Sequence, residues 1–256
     1  MLSLDRRRAL GPYLWLAAIC ALLLYLNNVS YMLRDQEGNA LMAFFLCVSV
    51  GYAAPILPLM AALPFGTAFC ADWQNSFAPA AVTRSGRRRY LASKVLSSAI
   101  SGALASAMGM LLFIAVLNLR FPPDFAAEPY LGGDVAGLLH LLNGGGAGAY
   151  LAYYGAHLLL AMLSGMFWAM SALTFSAFYP NVALTLCAPL VLHRLMAEVG
   201  NWVYIPGWMN VTLLESGALD MSPAALLLAG AGVYGTLTAM LAALFAWRAG
   251  RRLRHA

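Results

Sequence analysis

The stretch from Phe65 to Lys94 reads FGTAFCADWQNSFAPAAVTRSGRRRYLASK, and the rest of the chain is arranged around it. It is the only long polar interruption in the first half of a very apolar chain. It carries a third of the basic residues, at Arg84, Arg87, Arg88, Arg89 and Lys94. Apolar segments long enough to cross a bilayer lie on both sides of it. The stretch is therefore either a tether at a membrane surface or a surface on which a partner outside the membrane acts.

The composition indicates a polytopic membrane protein. The chain has 256 residues, of which 62% are hydrophobic and only 10% are charged, whereas a soluble domain carries about 25% charged residues. The mean hydropathy is +0.75 and the formal net charge is +5. Because the basic residues cluster beside apolar segments, we interpret them as topology signals and predict no nucleic-acid binding.

Cysteine spacing gives no sign of a disulfide framework or a zinc site. The chain contains Cys20, Cys47, Cys70 and Cys187, none of which forms a CxxC pair. The apolar segments continue to the C-terminal end of the sequence. We therefore do not interpret the basic start of the chain as part of a cleaved signal peptide.

Hydropathy predicts six membrane spans, since a helix needs about 20 apolar residues to cross the hydrocarbon core. The predicted spans are residues 13–33, 40–63, 95–117, 150–173, 182–196 and 224–247. The expected fold is an all-α polytopic membrane protein in which residues 1–256 form a single transmembrane domain. An even number of spans places both termini on one side of the membrane.

The basic residues indicate which side that is. All of them except Arg34, Arg120 and Arg194 fall in the two termini or in the loop 65–94. Cytoplasmic segments of membrane proteins carry an excess of lysine and arginine. The N-terminus, the C-terminus and the loop are therefore predicted to be cytoplasmic.

Two further segments have a recognisable pattern. In the third span Ser98, Gly102 and Ser106 recur at helical spacing, which predicts a close-packing face inside the fold. The segment 198–221 contains Trp202 and Trp208, which favour the membrane–water boundary. Whether this segment re-enters the membrane is left open by the sequence.

The sequence contains no familiar catalytic motif. There is no GxxxxGK[ST], no HExxH, no GxSxG and no paired acidic motif within a span. His157 is the one ionisable residue well inside a predicted span, and such a residue is a functional candidate. The alternative is a neutral histidine that is hydrogen-bonded between helices.

The loop 65–94 is predicted to form two helices. We expect the first over residues 67–77, a break near Pro79, and a second helix with Ser85 as its N-cap that continues into the third span. Phe69, Trp73 and Phe77 recur every four residues and would share one helical face. That face needs lipid or a partner to cover it.

The loop resembles the first cytoplasmic loop of the type-two ABC exporter permeases. In that family a small-residue and phenylalanine stretch is followed by an acid, an arginine, and a tyrosine with a lysine one turn later. The corresponding elements here are PFGTAF, Asp72, Arg84, Tyr90 and Lys94. The link TFSAFYPN with Pro189 behind it, and the wide gap between the fifth and sixth spans, also resemble the family.

The resemblance implies a transport subunit that is not itself an enzyme. It implies that ATP and magnesium are bound by separate cytoplasmic ATPase chains and that this chain binds no cofactor. It further implies a pair of permease subunits, identical or related, in the cell (inner) membrane of a bacterium. A closed two-fold pair is the commonest arrangement. The apolar spans suit an amphipathic cargo such as a peptide, a drug or a lipid.

The resemblance also implies roles for particular residues. The ATPase-coupling residues would be Thr67, Phe69, Asp72, Trp73, Phe77 and Arg84. The residues that anchor the loop at the membrane face, in contact with lipid, would be Arg87, Arg88, Arg89, Tyr90 and Lys94.

Two other functions remain open at this point. One is a non-transporting immunity or sensor subunit that binds a peptide at the outer face. The other is an intramembrane enzyme that uses His157. A cognate ATPase bound to the loop 65–94 separates the exporter from both.

Overall fold

The computed structural model of the chain describes residues 2–32, 40–49, 55–121, 146–216 and 222–254. Every regular element in these ranges is a helix, so the all-helical class is confirmed. The helices are α1 (Leu2–Ala9), α2 (Pro12–Met32), α3 (Ala40–Ser49), α4 (Leu57–Ala62), α5 (Ala68–Gln74), α6 (Phe77–Ser85), α7 (Arg87–Arg120), α8 (Gly146–Phe178), α9 (Val182–Trp202), a 3₁₀ turn (Gly207–Met209), α10 (Val211–Ser216) and α11 (Pro223–Arg252).

Five helical segments of the described chain are long and apolar enough to cross a membrane. They are Arg7–Asn28, Arg87–Arg120, Tyr150–Phe178, Val182–Gly200 and Pro223–Arg252. The predicted second span, 40–63, coincides with the short helices α3 and α4, and residues 50–54 between them lie outside the described ranges. The described helices therefore give five candidate spans where the sequence predicts six.

The long helices extend beyond the predicted spans. The helix α7 begins at Arg87, and α8 continues to Phe178. The predicted fifth span ends at residue 196, but α9 continues to Trp202. His193, which precedes that predicted end, is buried and lies 3.2 Å from Glu215 inside the bundle.

The predicted close-packing face joins α7 to α8, which pack on each other along much of their length. The Ser98 hydroxyl donates to the Ala169 carbonyl oxygen at 3.2 Å. A Cβ atom on Gly102 would overlap both the Ala169 side chain and the Gly165 backbone. The prediction that these small residues pack within the fold is confirmed, since close backbone approach is what small residues permit.

The segment after α9 folds back along the bundle. The carboxylate of Glu215, in α10, lies 3.2 Å from His193 and accepts a hydrogen bond from Trp168. Trp168 is in the interior of α8, and His193 is in the interior of α9. The Tyr234 hydroxyl of α11 donates to the Val211 carbonyl oxygen at 3.1 Å. Within its described part, the segment 198–221 thus returns to the interior of the helix bundle.

The N-terminal helix, the loop 65–94 and the C-terminal end of α11 meet at one end of the bundle. Arg8 of α1 forms an ion pair with Asp72 in the loop. Arg252 of α11 places its guanidinium 5.5 Å from the Trp73 ring centroid and donates to the Phe178 carbonyl oxygen at 2.7 Å. The segments that share the basic residues in the sequence are therefore neighbours in space.

Candidate functional site

The loop 65–94 forms two helices, but the break between them is not where the sequence predicted it. The helix α5 ends at Gln74, α6 begins at Phe77, and Ser76 between them has a left-handed backbone with φ 54°. Pro79 lies in the first turn of α6, where the missing N–H leaves no helical bond unmade. The break near Pro79 that the sequence predicted therefore lies at Asn75 and Ser76, just before the helix that contains Pro79.

The predicted N-cap at Ser85 was wrong. Ser85 is the last residue of α6, and its hydroxyl donates to the Ala81 carbonyl oxygen at 2.8 Å. Gly86 precedes α7 with φ 81°, a conformation that glycine adopts without steric cost. The chain uses a glycine turn here in place of a serine cap.

A group of ionic and polar side chains, all of them buried except the half-exposed Arg8, joins the loop to the rest of the bundle. We call it the junction cluster, and its members are Asp5, Arg8, Asp72, Tyr90, Ser93 and Lys94. The Lys94 Nζ lies 2.9 Å from Asp5 Oδ1 and 2.7 Å from Asp72 Oδ2. Lys94 has no exposed surface, and each aspartate is 2% exposed. Charges buried to this degree persist only when they are paired and hydrogen-bonded.

Every carboxylate oxygen of the junction cluster has a donor. Asp72 accepts from the Tyr90 hydroxyl at 3.0 Å and from Arg8 Nη1 at 3.0 Å. Asp5 accepts from the Ser93 hydroxyl in addition to Lys94. The cluster therefore fixes three elements to one another: α1, α5 and the first turns of α7.

Aromatic rings surround the lysine of the junction cluster. The Lys94 ammonium lies 5.2 Å from the Phe65 ring centroid and 5.5 Å from that of Tyr90. Both distances are within the range of cation–π attraction. The rings also exclude water from the ion pairs, which strengthens their electrostatic attraction.

The chain itself covers most of the aromatic face that the sequence predicted. Phe69 is fully buried, with its ring edge-on to Phe245 at 5.4 Å and stacked on Trp73 at 6.0 Å. Arg252 lies over Trp73. The expectation that lipid or a partner must cover this face was wrong for Phe69, because α11 packs against it, whereas Trp73 is only half-buried. Phe77 differs in being 36% exposed.

The surface of the loop is formed by its polar turn and its arginines. Gln74, Asn75 and Ser76 are exposed beside Phe77, and Thr67 is half-buried. Arg84, Arg87, Arg88 and Arg89 are also exposed. Of the residues named by the resemblance, the structure brings Asp72, Tyr90 and Lys94 into one cluster and leaves Arg84 outside it.

The loop contains one thiol, that of Cys70, and it is buried. Cys70 of α5 has no exposed surface. Burial raises the pKa of the Cys70 thiol, because the thiolate is poorly solvated there. A buried, protonated thiol reacts slowly, so Cys70 can report whether α5 stays packed.

His157 lies in the interior of α8, away from the loop. Its Nδ1 donates to the Tyr153 carbonyl oxygen at 3.0 Å, and Phe44 packs edge-on against its ring at 5.4 Å. This hydrogen bond lies within one helix, so among the described residues it is not the bond between helices that the alternative interpretation expects. The Nε2 atom has no hydrogen-bond partner in the part of the chain that the structure describes.

Sequence reasoning missed two contacts between charged or polar side chains. Asp5 and Lys94 are 89 positions apart, and nothing in the local pattern joins them. Glu215 falls in the segment 198–221, although it contacts His193 inside the bundle. For Asp5 the only available signal was a lone acid beside a run of arginines, and for Glu215, one of three acids in its segment, there was none.

Comparison of the chain with protein-family models, curated proteins and solved structures gives no match. The class that the fold defines is an all-helical protein with five candidate membrane-spanning helices among its described residues.

Proposed function

We propose that this chain is the membrane-spanning permease subunit of an ATP-driven exporter of the type-two ABC class. It would work with a second permease subunit and with cytoplasmic ATPase chains that bind ATP and magnesium. Its termini and the loop 65–94 would face the cytoplasm across the inner membrane of a bacterium. The cargo would be amphipathic. The observation that carries the proposal is the junction cluster, in which Asp72, Tyr90 and Lys94 of the resembling pattern are in contact.

The junction cluster gives the loop a mechanical connection to the spans. A displacement of α5 by an ATPase would pass through Asp72 to Lys94 at the start of α7. It would also pass through Phe69 to Phe245 of α11. Close-packed helices shift as rigid elements between discrete arrangements. Closure of the ATPase pair would therefore move α7 and α11 together with the loop.

The exposed and buried residues of the loop would have different roles. The turn from Gln74 to Phe77 is exposed, which suits contact with an ATPase. Asp72 is buried, so it would position α5 and would not touch the partner. The arginines from Arg87 to Arg89 are exposed beside the first turn of α7, where anionic lipid headgroups would attract them.

The test is purification of the tagged chain from its own host in mild detergent, with partners identified by mass spectrometry. We expect an ATPase in about equal amount. Replacing Asn75, Ser76 and Phe77 with alanine should release it. The matched control is alanine at Val203 and Tyr204, which are also exposed but follow α9. Recovery of the chain alone, from membranes in which other ATPase complexes survive, would refute the proposal.

A further inference from the structure

A cavity of about 300 Å³ lies inside the helix bundle, apart from the junction cluster. Helices α2, α4, α7, α8, α9 and α10 all contribute to its wall. The polar part of the wall includes His157, Ser164, His193, Thr212 and Glu215. Most of the rest is apolar. A few polar groups in an apolar cavity are typical of small-molecule sites.

The carboxylate of Glu215 gives the cavity a negative end. It accepts from Trp168 Nε1 at 2.6 Å and lies 3.2 Å from His193 Nε2. In the described part of the chain it forms no salt bridge with a lysine or an arginine. An acid this far inside a bundle needs a cationic partner or a functional reason.

Two histidine nitrogens in the wall lack hydrogen-bond partners among the described residues. His157 is 2% exposed and His193 is 5% exposed. The Nδ1 of His157 faces a carbonyl oxygen and so carries the hydrogen, which leaves Nε2 as a lone-pair acceptor. The Nε2 of His193 faces Glu215, which leaves its Nδ1 as an acceptor in the neutral ring.

Two of the hydroxyl groups in the wall, those of Ser164 and Thr212, add further acceptors. The Ser164 hydroxyl donates to the Ala161 carbonyl oxygen at 3.2 Å. The Thr212 hydroxyl donates to Asn210 Oδ1 at 2.7 Å. Because each hydroxyl has one hydrogen, both present only lone pairs to the cavity. A ligand that satisfies these hydroxyl groups, the two histidine nitrogens and Glu215 must bring hydrogen-bond donors.

We infer that this cavity binds a small primary amine, in its ammonium form, with an apolar body. An ammonium group carries three donors, no acceptor and a positive charge, which matches the lone pairs and the carboxylate of Glu215. Met60, Met110, Leu160 and the ring of Tyr25 supply apolar contact for the body of the ligand. The volume is at the lower end of the range of about 300–1,000 Å³ for ligand pockets. The site requires neither an ATPase nor a second subunit, so it stands apart from the proposed function.

The test uses the full chain in phosphatidylcholine nanodiscs with radiolabelled 2-phenylethylamine. Equilibrium dialysis against empty nanodiscs removes the contribution of partition into lipid. The comparison ligands are 2-phenylethanol, which lacks the charge, and 3-phenylpropionate, which reverses it. We expect saturable binding of the amine, at least about tenfold tighter than the alcohol, and no saturable binding of the acid.

The variant Glu215→Gln keeps the shape of the side chain and removes its charge. It should bind amine and alcohol with equal affinity. Glu198→Gln is the matched control, because Glu198 pairs with Arg194 outside the cavity lining, and this variant should keep the preference for the amine. Ala161→Phe leaves Glu215 unchanged and fills the cavity, so it should remove saturable binding.

A variant is included in the comparison only if its helical circular dichroism matches that of the wild type and it elutes as a single peak in size-exclusion chromatography. If Glu215→Gln fails this criterion, the inference is tested with Ala161→Phe alone. The inference is overturned if the wild-type chain shows no saturable amine binding or binds the alcohol equally well. It is also overturned if the preference survives Glu215→Gln, or if Ala161→Phe binds like the wild type.

Discussion

At the scale of single residues, substitutions around Lys94 should have the largest effect on the free energy of unfolding. Lys94 is completely buried and makes ion pairs with two aspartates that are themselves buried. Breaking a buried pair by removing one partner is strongly destabilising, because the other charge is left without compensation. The residues of the junction cluster should therefore respond far more to substitution than the exposed charges of the chain.

The substitution Asp72→Asn tests this directly. It leaves Lys94 with Asp5 alone, so we expect a loss toward the lower end of about 3–5 kcal/mol in the free energy of unfolding. Thermal unfolding in detergent measures the shift. Glu198→Gln, which breaks the exposed pair with Arg194, should cost only about 0.3–0.5 kcal/mol. Equal melting temperatures for the two variants would show that the junction cluster is not an energetic centre.

Phe69 and Phe77 should separate stability from coupling. Phe69 is fully buried, so Phe69→Ala should lower the free energy of unfolding by about 3–5 kcal/mol. Phe77 is partly exposed, so Phe77→Ala should fold normally and uncouple ATP hydrolysis from transport. Trp73→Ala should lower stability to a smaller extent and also partly uncouple ATP hydrolysis from transport, because Trp73 contacts Phe69 and Arg252.

The measurements are melting temperature, and ATPase and transport rates of the reconstituted complex. Normal transport by both Phe77→Ala and Trp73→Ala would remove the coupling role from this face.

At the scale of helices, the contact between α7 and α8 depends on the absence of side chains. Any Cβ at Gly102 meets Ala169 and the backbone of Gly165. Gly102→Val should therefore force the helices apart, at a cost of about 1–3 kcal/mol or more. Gly235→Val is the control, because nothing lies within 4 Å of a Cβ at that position. The melting temperatures of the two variants are measured side by side. An equal decrease in both would mean that the low helix propensity of valine, and not the contact between α7 and α8, causes the loss of stability.

Cys70 should report whether α5 stays packed. Replacing Cys20, Cys47 and Cys187 with alanine leaves it as the single thiol. Its raised pKa means that less thiolate is present at a given pH than for a free thiol of pKa about 8.5. The curve of maleimide labelling rate against pH should therefore be displaced to higher pH.

Loss of the junction cluster should remove this protection. Adding Asp72→Asn should speed the labelling of Cys70. A cysteine placed at the exposed Asn75 instead of Cys70 is the reference, and it should label rapidly with or without Asp72→Asn. Equal labelling rates at positions 70 and 75 in the single-cysteine chains without Asp72→Asn would contradict the packing of α5.

At the scale of the whole molecule, the number of spans decides the topology. The N-terminal helix, the loop 65–94 and the end of α11 lie together at one end of the bundle. Six spans would place both termini on the cytoplasmic side with the loop. Single cysteines at residues 3, 80 and 254, on a background with all four native cysteines replaced by alanine, should all react with an impermeant maleimide only in inverted vesicles. Reaction of the two termini from opposite sides would establish an odd number of spans.

The sequence alone determined the helical membrane class, the grouping of the basic segments and the close-packing face around Gly102. These are local properties, because hydropathy, charge and small-residue spacing are each read within one segment. The same reasoning misplaced the helix break, since the left-handed turn at Ser76 carries no strong residue signal.

Only the tertiary structure decided which side chains meet. It paired Lys94 with Asp5, Glu215 with His193, and Phe69 with Phe245. These contacts join distant parts of the chain, and a helical period shows which face of a helix is apolar but not which helix covers it. The junction cluster and the cavity both form where helices converge, and that convergence is set by packing of the whole bundle.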